Sequence, residues 1–358
     1  MHTLPAEDPR GAARERFRQV LDAADPARPV LVLGHFDADG LSALAILVRA
    51  LERAGRKTAI RIVGRGENPW SDEMRAELAG AEAGALLVTD LGLREGALKP
   101  STPTAVIDHH QPTGVPDGAA VISGNGLDPE PTSALLAYWC ATELGPTDDL
   151  VWLAAIGLIG DMAEGAGWPE LAEAQARFGK TALRDAVSLL NAPRRAAAAD
   201  AGPSLALLLK ANGPKEITSG VHPETAQLRA AKAEVAAALD AAKRIGPKVR
   251  GEVALIRFHS PCQIHPLIAQ QWRGRLKDKV VLAANTGYRP GWVHFAARSG
   301  EDRDLIAFLA ERRPPGADSH YGSGHRQATG GALRIPDWNQ FVQSLGFPEE
   351  AIPEQAAA

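Results

Sequence analysis

At 358 residues the chain is too long for one ordinary core and long enough for two. Its 45% hydrophobic and 23% charged residues, with both signs mixed, suit a globular protein, and no run approaches the roughly 18 consecutive apolar residues of a membrane span. A net charge of −4 excludes a chain that coats nucleic acid by bulk electrostatics, while leaving room for a local basic groove or for a substrate with few phosphates.

The N-terminal stretch MHTLPAEDPRGAARERFRQVLDAAD lacks the apolar core of a secretory signal and carries acids that a transit peptide avoids, so a cytoplasmic location is expected. Cys140 and Cys262 stand far apart without a CxxC pattern and read as small buried hydrophobes of a reducing compartment. Residues 10–25 read as an amphipathic lead-in helix. After it, apolar runs alternate with helical segments: PVLVLGH (29–35), the helix LSALAILVRALERAG (41–55), TAIRIVG (58–64), a helix near 71–81, GALLVTDLG (84–92), TAVIDHH (104–110) and AAVISGNG (119–126). Strand, helix, strand at this spacing predicts βαβ units and a parallel sheet. Apolar runs without strict alternation predict strands covered on both faces.

From about residue 130 the pattern turns helical, through TSALLAYWCATEL and LVWLAAIGLIGDMAE, as far as 212. NGPKEITSGVHPE (212–224) reads as a linker, and residues 225–246 as one long connecting helix. Strand signals return in EVALIRF (252–258), KVVLAAN (279–285) and GWVHFAAR (291–298), with helices at 266–276 and 302–311. A glycine-rich loop, YGSGHRQATGGAL, follows at 321–333. The expected class is α/β: a domain over 1–212 with a parallel sheet and helices on both faces, a linker and connecting helix over 213–246, and a smaller α/β domain over 247–358.

The chemistry gathers at strand ends. In extended backbone, residues i, i+2 and i+4 project to one side, so His35, Asp37 and Asp39 leave the first strand together, at the end where open α/β sheets place ligands. The alternative is an ordinary Asp39-Gly40 turn with Asp37 as a helix cap. Asp90 ends the third strand, where an acid before glycine is weak evidence alone. Asp108-His109-His110 ends the fourth, and such groups are seldom buried without partners. Asp161 sits in the apolar IGLIGDMAE, where an unpaired carboxylate is costly to bury, unless it is a helix end facing solvent. Asp37, Asp39, Asp90 and Asp161 in one small volume cannot all stay ionised without compensating charge, and divalent cations supply it. Mixed imidazole and carboxylate ligands without thiolate suit two Mn2+ ions, with Mg2+ as a substitute. A carboxylate shared by two metals about 3.5–4 Å apart is the usual arrangement for displacement at phosphorus.

The HxDxDG motif (35–40), DLG (90–92), DHH (108–110) and GD (160–161), in this order, resemble the DHH phosphoesterases. Gly322-Ser323-Gly324-His325, Ala328 and Gly330 resemble the glycine-rich signature of the DHHA1 substrate domain. The resemblance implies an active site in the cleft between the two domains. It implies that His35, Asp37 and Asp90 hold one metal, and that Asp39, Asp90, His109 and Asp161 hold the other, with Asp90 bridging. Asp108 would support its neighbours, and His110 would contact the scissile phosphate or donate a proton to the leaving oxygen. Arg298 falls where the family places a phosphate-binding arginine, its alternative being an exposed surface charge. Apart from the family, the loop's glycines allow backbone N–H groups to approach an anion, and Ser323 and His325 add hydrogen-bonding side chains beside Gly324. Asn125 and Thr132-Ser133 stand where they would line the cleft.

HFDADGLSALAIL with DLG and IGLIGDM looks closer to the RecJ-type exonuclease branch than to the nanoRNase and cyclic-dinucleotide branch. Against long single strands stand the 5% aromatic content, the negative charge and the mere 27 or so residues beyond Gly331, too few for a further OB-like domain. The expectation is therefore a manganese-dependent phosphodiesterase of short oligonucleotides or cyclic dinucleotides. RecJ-like 5′-to-3′ degradation of single-stranded DNA or RNA is the alternative. A non-catalytic scaffold is disfavoured because every ligand position is filled, and a pyrophosphatase because SGHRQATGG is of the nucleotide-binding type. The expected partners are a nucleotide, oligonucleotide or single-stranded nucleic acid, with a homodimer allowed for and no membrane.

Overall fold

The computed structural model describes residues 3–300, 303–317, 321–322 and 324–353. Contacts divide the chain into one unit reaching to Arg194 and including Ala198–Ala230, and a second made of Arg195–Ala197 and everything from Ala231 on.

The first unit is built on five parallel strands: β1 (Val30–His35), β2 (Thr58–Val63), β3 (Ala85–Thr89), β4 (Thr104–Asp108) and β5 (Ala119–Ser123). Their spatial order is β2-β1-β3-β4-β5. Around them lie α1 (Pro9–Asp22), α2 (Ala38–Arg53), α3 (Asp72–Gly80), α4 (Ser133–Ala141), α5 (Val151–Gly160), α6 (Pro169–Phe178), α7 (Lys180–Leu190), α8 (Ala192–Arg195), α9 (Gly202–Lys210) and α10 (Pro214–Ser219). The expected parallel sheet with two covered faces is present. Val30, Val32, Ala85, Leu87, Ala105 and Ile107 pack into one core with α1, α2, α4 and α5. Leu31, Leu33, Leu86, Val88 and Val106 pack with Met74 and Leu78 of α3 in another. In β1, β3 and β4 side chains alternate between two buried faces, so no polar position interrupts them between their ends, whereas the edge strand β2 carries Arg61.

Two helices set the site. α2 begins where the Asp37 carboxylate accepts the Gly40 N–H at 3.1 Å, and Leu41, Leu44, Leu47 and Leu51 are fully buried along it. α5, VWLAAIGLIG, is apolar all round and buried from Val151 to Ile159, packed on α2, α4, α6 and α7. The strand order reverses between β1 and β3, which opens a crevice at their carboxyl ends.

The segment read as a linker contains α10, which starts at a proline in its first turn, buries Ile217 and stops at Gly220 with φ 89°. It is followed by α11 (Glu224–Ala242). Leu228 of α11 belongs to the first unit's core, and Val235 and Ala242 to the second unit's.

The second unit holds a six-stranded mixed sheet of β6 (Lys248–Arg250), β7 (Val253–Phe258), β8 (Val280–Arg289), β9 (Trp292–Arg298), β10 (Gly324–His325) and β11 (Ala328–Arg334), in the order β10-β11-β9-β8-β7-β6. Only β7 and β8 pair in parallel. α12 (His265–Arg273) covers one face, and α13 (Leu305–Ala310) and α14 (Ile335–Ser344) the other. More than half of the sequence read as a glycine-rich loop is therefore strand. At Gly330 a Cβ would stand 2.4 Å from the Phe295 carbonyl oxygen, so β11 lies against β9 only because glycine is there.

Candidate metal centre

The carboxyl ends of β1, β3 and β4 converge with the end of α5. His35 closes β1, Asp37 caps α2 and Asp39 lies in its first turn. Asp90 directly follows β3 with φ 61°, the left-handed region that aspartate tolerates better than most residues. Asp108 ends β4, with His109 and His110 after it, and Asp161 ends α5.

These side chains meet. Nδ1 of His35 lies 3.2 Å from Asp37 Oδ1 and 3.5 Å from Asp90 Oδ2. Nε2 of His109 lies 3.1 Å from Asp161 Oδ2, 3.7 Å from Asp90 Oδ1 and 3.9 Å from Asp39 Oδ2. One Asp90 oxygen thus faces the His35–Asp37 pair and the other faces His109. Ligand atoms of His35–Asp37–Asp90, of Asp39–His109–Asp161 and of Asp90–His109–His110 each fall within 4.8 Å of one another.

Asp39 and Asp108 are fully buried and well bonded. Asp39 accepts the N–H groups of Ser133 (2.8 Å) and Ala134 (3.0 Å) at the start of α4. Asp108 accepts the N–H groups of Gly92 and His110, each at 2.7 Å, and its Oδ1 lies 2.9 Å from Nδ1 of His110. Asp108 thereby ties the loop after β3 to the loop after β4 and fixes the His110 ring. Asp90, 4% exposed, is bonded by the Ser133 hydroxyl at 3.0 Å.

The charges are strongly coupled. Burial, then Asp161 and Asp90, push the Asp39 carboxyl well up. Burial and then Asp37 push Asp90 up to about 6. Burial disfavours charge on His35 too, but Asp37 and Asp90 outweigh it and raise the ring to about 10. The hydrogen bond that the His110 ring donates to Asp108 raises His110 to about 9. Yet Nδ1 of His35 and Nε2 of His109 are buried without a well-directed hydrogen-bond partner. Buried ring nitrogens aimed into a set of carboxylates fit a divalent cation.

In the second unit, Arg298 ends β9 half-buried, and its guanidinium reaches the carbonyls of Ala297 (2.8 Å) and Thr329 (3.2 Å). Among the described residues no carboxylate pairs with it. Burial and the nearby Arg273 both oppose its charge, which leaves it suited to an anion. Gly322 lies in a turn with φ 75°, while Gly324 and His325 form β10. Ser323 and the His325 side chain lie outside the described residues.

No protein-family model matches the sequence. Over 170 residues the chain is 32% identical to the single-stranded-DNA-specific exonuclease RecJ of Thermus thermophilus, across 43% of this chain and 26% of that protein. The match thus spans about a quarter of the relative's length. The structure of exonuclease RecJ bound to manganese aligns with a TM-score of 0.67 at 21% identity, covering 98% of this chain and 96% of that one. The sequence likeness to RecJ and the shared fold support a DHH/DHHA1 family member. A pGpG-specific phosphodiesterase, PggH, of Vibrio cholerae shares the fold more distantly, with a TM-score of 0.50 at 14% identity over 88% of this chain and 97% of that one.

Four further residues around this centre carry no local sequence signal. The Arg194 guanidinium pairs with Asp37 Oδ2 and lies 5.7 Å from the Phe36 ring centroid. Asn191 Oδ1 accepts the Ala38 N–H at 3.0 Å and holds the first turn of α2. Gly157 leaves room for Asp39, since a Cβ there would stand 2.2 Å from its Oδ1. Glu130 faces the outer nitrogen of His109. Ser133 joins Asp39 to Asp90, a more specific place than lining a cleft.

Proposed function

We propose that this DHH/DHHA1 protein is a metal-dependent phosphodiesterase that hydrolyses single-stranded oligonucleotides, holding two divalent cations between its strand ends. The observation that carries the reading is Asp90. Its oxygens face two separate ligand sets, 3.5 Å from His35 Nδ1 and 3.7 Å from His109 Nε2, as a bridging carboxylate requires. His35 and Asp37 would hold one cation, and Asp39, His109 and Asp161 the other. The imidazole and carboxylate ligands favour Mn2+, with Mg2+ as a weaker substitute. Bound cations would supply a water of lowered pKa and neutralise charge on the phosphoryl oxygens. The chain's own part is to position and to move protons. Asp108 holds His110 protonated at neutral pH, so its ring would bind the scissile phosphate and give a proton to the leaving oxygen. Arg298 would take a substrate phosphate.

One observation favours longer strands over dinucleotides. On the face of β9 that carries Arg298, the strand runs back through His294 to Trp292. The guanidinium groups of Arg289 on β8 and Arg334 on β11 lie over the Trp292 ring, 4.8 and 4.9 Å from its centroid. Bases stack on guanidinium planes as well as on aromatic rings, and the two arginines also meet phosphates. A panel of cyclic dinucleotides, linear dinucleotides, short oligonucleotides and long 5′-phosphorylated single strands, assayed with Mn2+ and again with EDTA, tests both readings. Hydrolysis that needs metal and rises with length supports the strand reading. Preference for dinucleotides selects the small-substrate alternative, and turnover in EDTA ends the two-metal account.

A further inference from the structure

The two nitrogens of the His109 ring face opposite ways. Nε2 looks inward at Asp161, Asp90 and Asp39, at 3.1, 3.7 and 3.9 Å. Nδ1 looks outward toward Oε1 of Glu130, 3.4 Å away. Glu130 stands in the segment between β5 and α4, and its second oxygen accepts the Gly126 N–H at 3.3 Å, which anchors the carboxylate on its own loop. Among the described residues it has no other ionic partner.

We propose that Glu130 is a positioning residue that fixes which nitrogen of His109 carries hydrogen. A neutral imidazole has one N–H and one lone pair, and the hydrogen bond made by the first decides where the second points. A carboxylate accepts only, so when the ring gives up its extra proton to a cation Glu130 keeps the remaining hydrogen on Nδ1 and the lone pair falls on Nε2, toward Asp39, Asp90 and Asp161. Without Glu130 the hydrogen is free to settle on Nε2, where Asp161 at 3.1 Å accepts it and the cation finds an N–H in place of a ligand. Metal-ligating histidines generally have such an outer partner, and its loss weakens metal affinity by about 10- to 100-fold. This inference rests on the reading of the strand-end cluster as a metal site.

The test is a titration of the whole metal-free chain with Mn2+, followed by calorimetry and by the electron paramagnetic resonance of free Mn2+, for wild type, Glu130→Gln and Glu130→Ala. The wild type is expected to bind two ions. Glu130→Ala should weaken one of them by about 10- to 100-fold and leave the other in place. Glu130→Gln, whose amide oxygen still accepts, should retain part of that affinity. Metal-free melting temperatures should coincide, since Glu130 is 43% exposed at its side chain and packs into no core. Wild-type affinity for both ions in both variants overturns the role given to Glu130. Failure of the wild type to bind Mn2+ overturns the metal site itself and the inference with it.

Discussion

Gly157→Ala pits two effects of opposite sign against each other. In the interior of an ordinary helix, alanine is favoured over glycine by about 1 kcal/mol. Here the added Cβ would stand 2.2 Å from Asp39 Oδ1 and 2.4 Å from the Cβ of Ala134. Real Cβ contacts essentially never fall below 3.0 Å, so the Asp39 carboxylate must move by about 0.8 Å or α4 must shift. Both neighbours are fully buried, and Asp39 is bonded to the first two N–H groups of α4, so neither yields freely. Overpacking of this kind costs about 1–3 kcal/mol, which exceeds the propensity gain. The net loss of up to about 2 kcal/mol should lower the melting temperature by up to about 8 °C. Displacing a ligand by nearly 1 Å should also weaken Mn2+ binding about tenfold or more. Gly160→Ala is the control, because its Cβ would meet the Ala38 Cβ at 3.0 Å and the Asp39 backbone nitrogen at 3.7 Å, and no carboxylate oxygen. Differential scanning calorimetry and Mn2+ titration of both variants read the two effects separately. A Gly157→Ala protein as stable as wild type with unchanged Mn2+ affinity refutes the packing argument.

Other outcomes follow from the same geometry. Burial opposes charge on His35 and His109, but their aspartates raise both rings to about 10, so at neutral pH each proton must leave before a cation binds. Mn2+ affinity should therefore rise with pH from about 6 to 9 with measurable proton release in buffers of different ionisation enthalpy, and affinity that falls with pH contradicts this. Arg298→Ala should raise KM about tenfold or more with kcat little changed, and an unchanged KM removes its phosphate role. In the second unit, burial raises the Glu350 carboxyl, but Lys248 and Arg257 more than offset it and hold it low. A depressed carboxyl stabilises above its unfolded value, near 4.5, and that contribution is lost as pH falls through the folded value. Glu350→Gln should cost about 1–3 kcal/mol at pH 7 in denaturant unfolding, with the gap closing toward acid pH.

The parallel sheet was legible because most of its strands are short apolar runs, and the polar residues at or just after the ends of β1, β3 and β4 are the site. His35, Asp90 and Asp108 could be placed at strand tips from spacing alone. Other features were hidden for identifiable reasons. In β11, Ala328-Thr329-Gly330-Gly331 lacks any period-two alternation, and its strand character comes from β9 alongside it. Residues 212–224 read as a linker, yet a proline is well suited to the first turn of a helix, and Pro214 starts α10. Gly157, Asn191, Arg194 and Glu130 act on residues far from them in sequence, so their neighbourhood in the chain says nothing of their contact. Asp90 was the least conspicuous of the acids, and what marks it out is a left-handed backbone angle that the motif DLG does not reveal.

Asp90 also shows where the fold trades stability for a site. The residue is 4% exposed, and burial together with Asp37 raises its carboxyl from 3.8 to about 6. A buried carboxyl with a raised value stabilises the fold only while protonated, so its ionised form at pH 7 works against folding. A rise of about 2 units corresponds to about 3 kcal/mol. Asparagine at this position keeps an acceptor for the Ser133 hydroxyl, tolerates φ 61° and removes the charge. In the metal-free state Asp90→Asn should therefore be more stable than wild type, by up to about 3 kcal/mol at pH 7 and by little below pH 4. With Mn2+ at 100 times its Kd, the wild type should gain about 2.7 kcal/mol for each ion bound, while the variant, lacking the bridge, gains far less. Hydrolysis should fall by several kcal/mol in barrier, about a thousandfold for 4 kcal/mol. Chemical denaturation with and without Mn2+ measures both stabilities. If the metal-free variant is less stable than wild type, Asp90 is held by favourable contacts that the charge argument omits. If Mn2+ stabilises variant and wild type equally, the shared ligand is another residue.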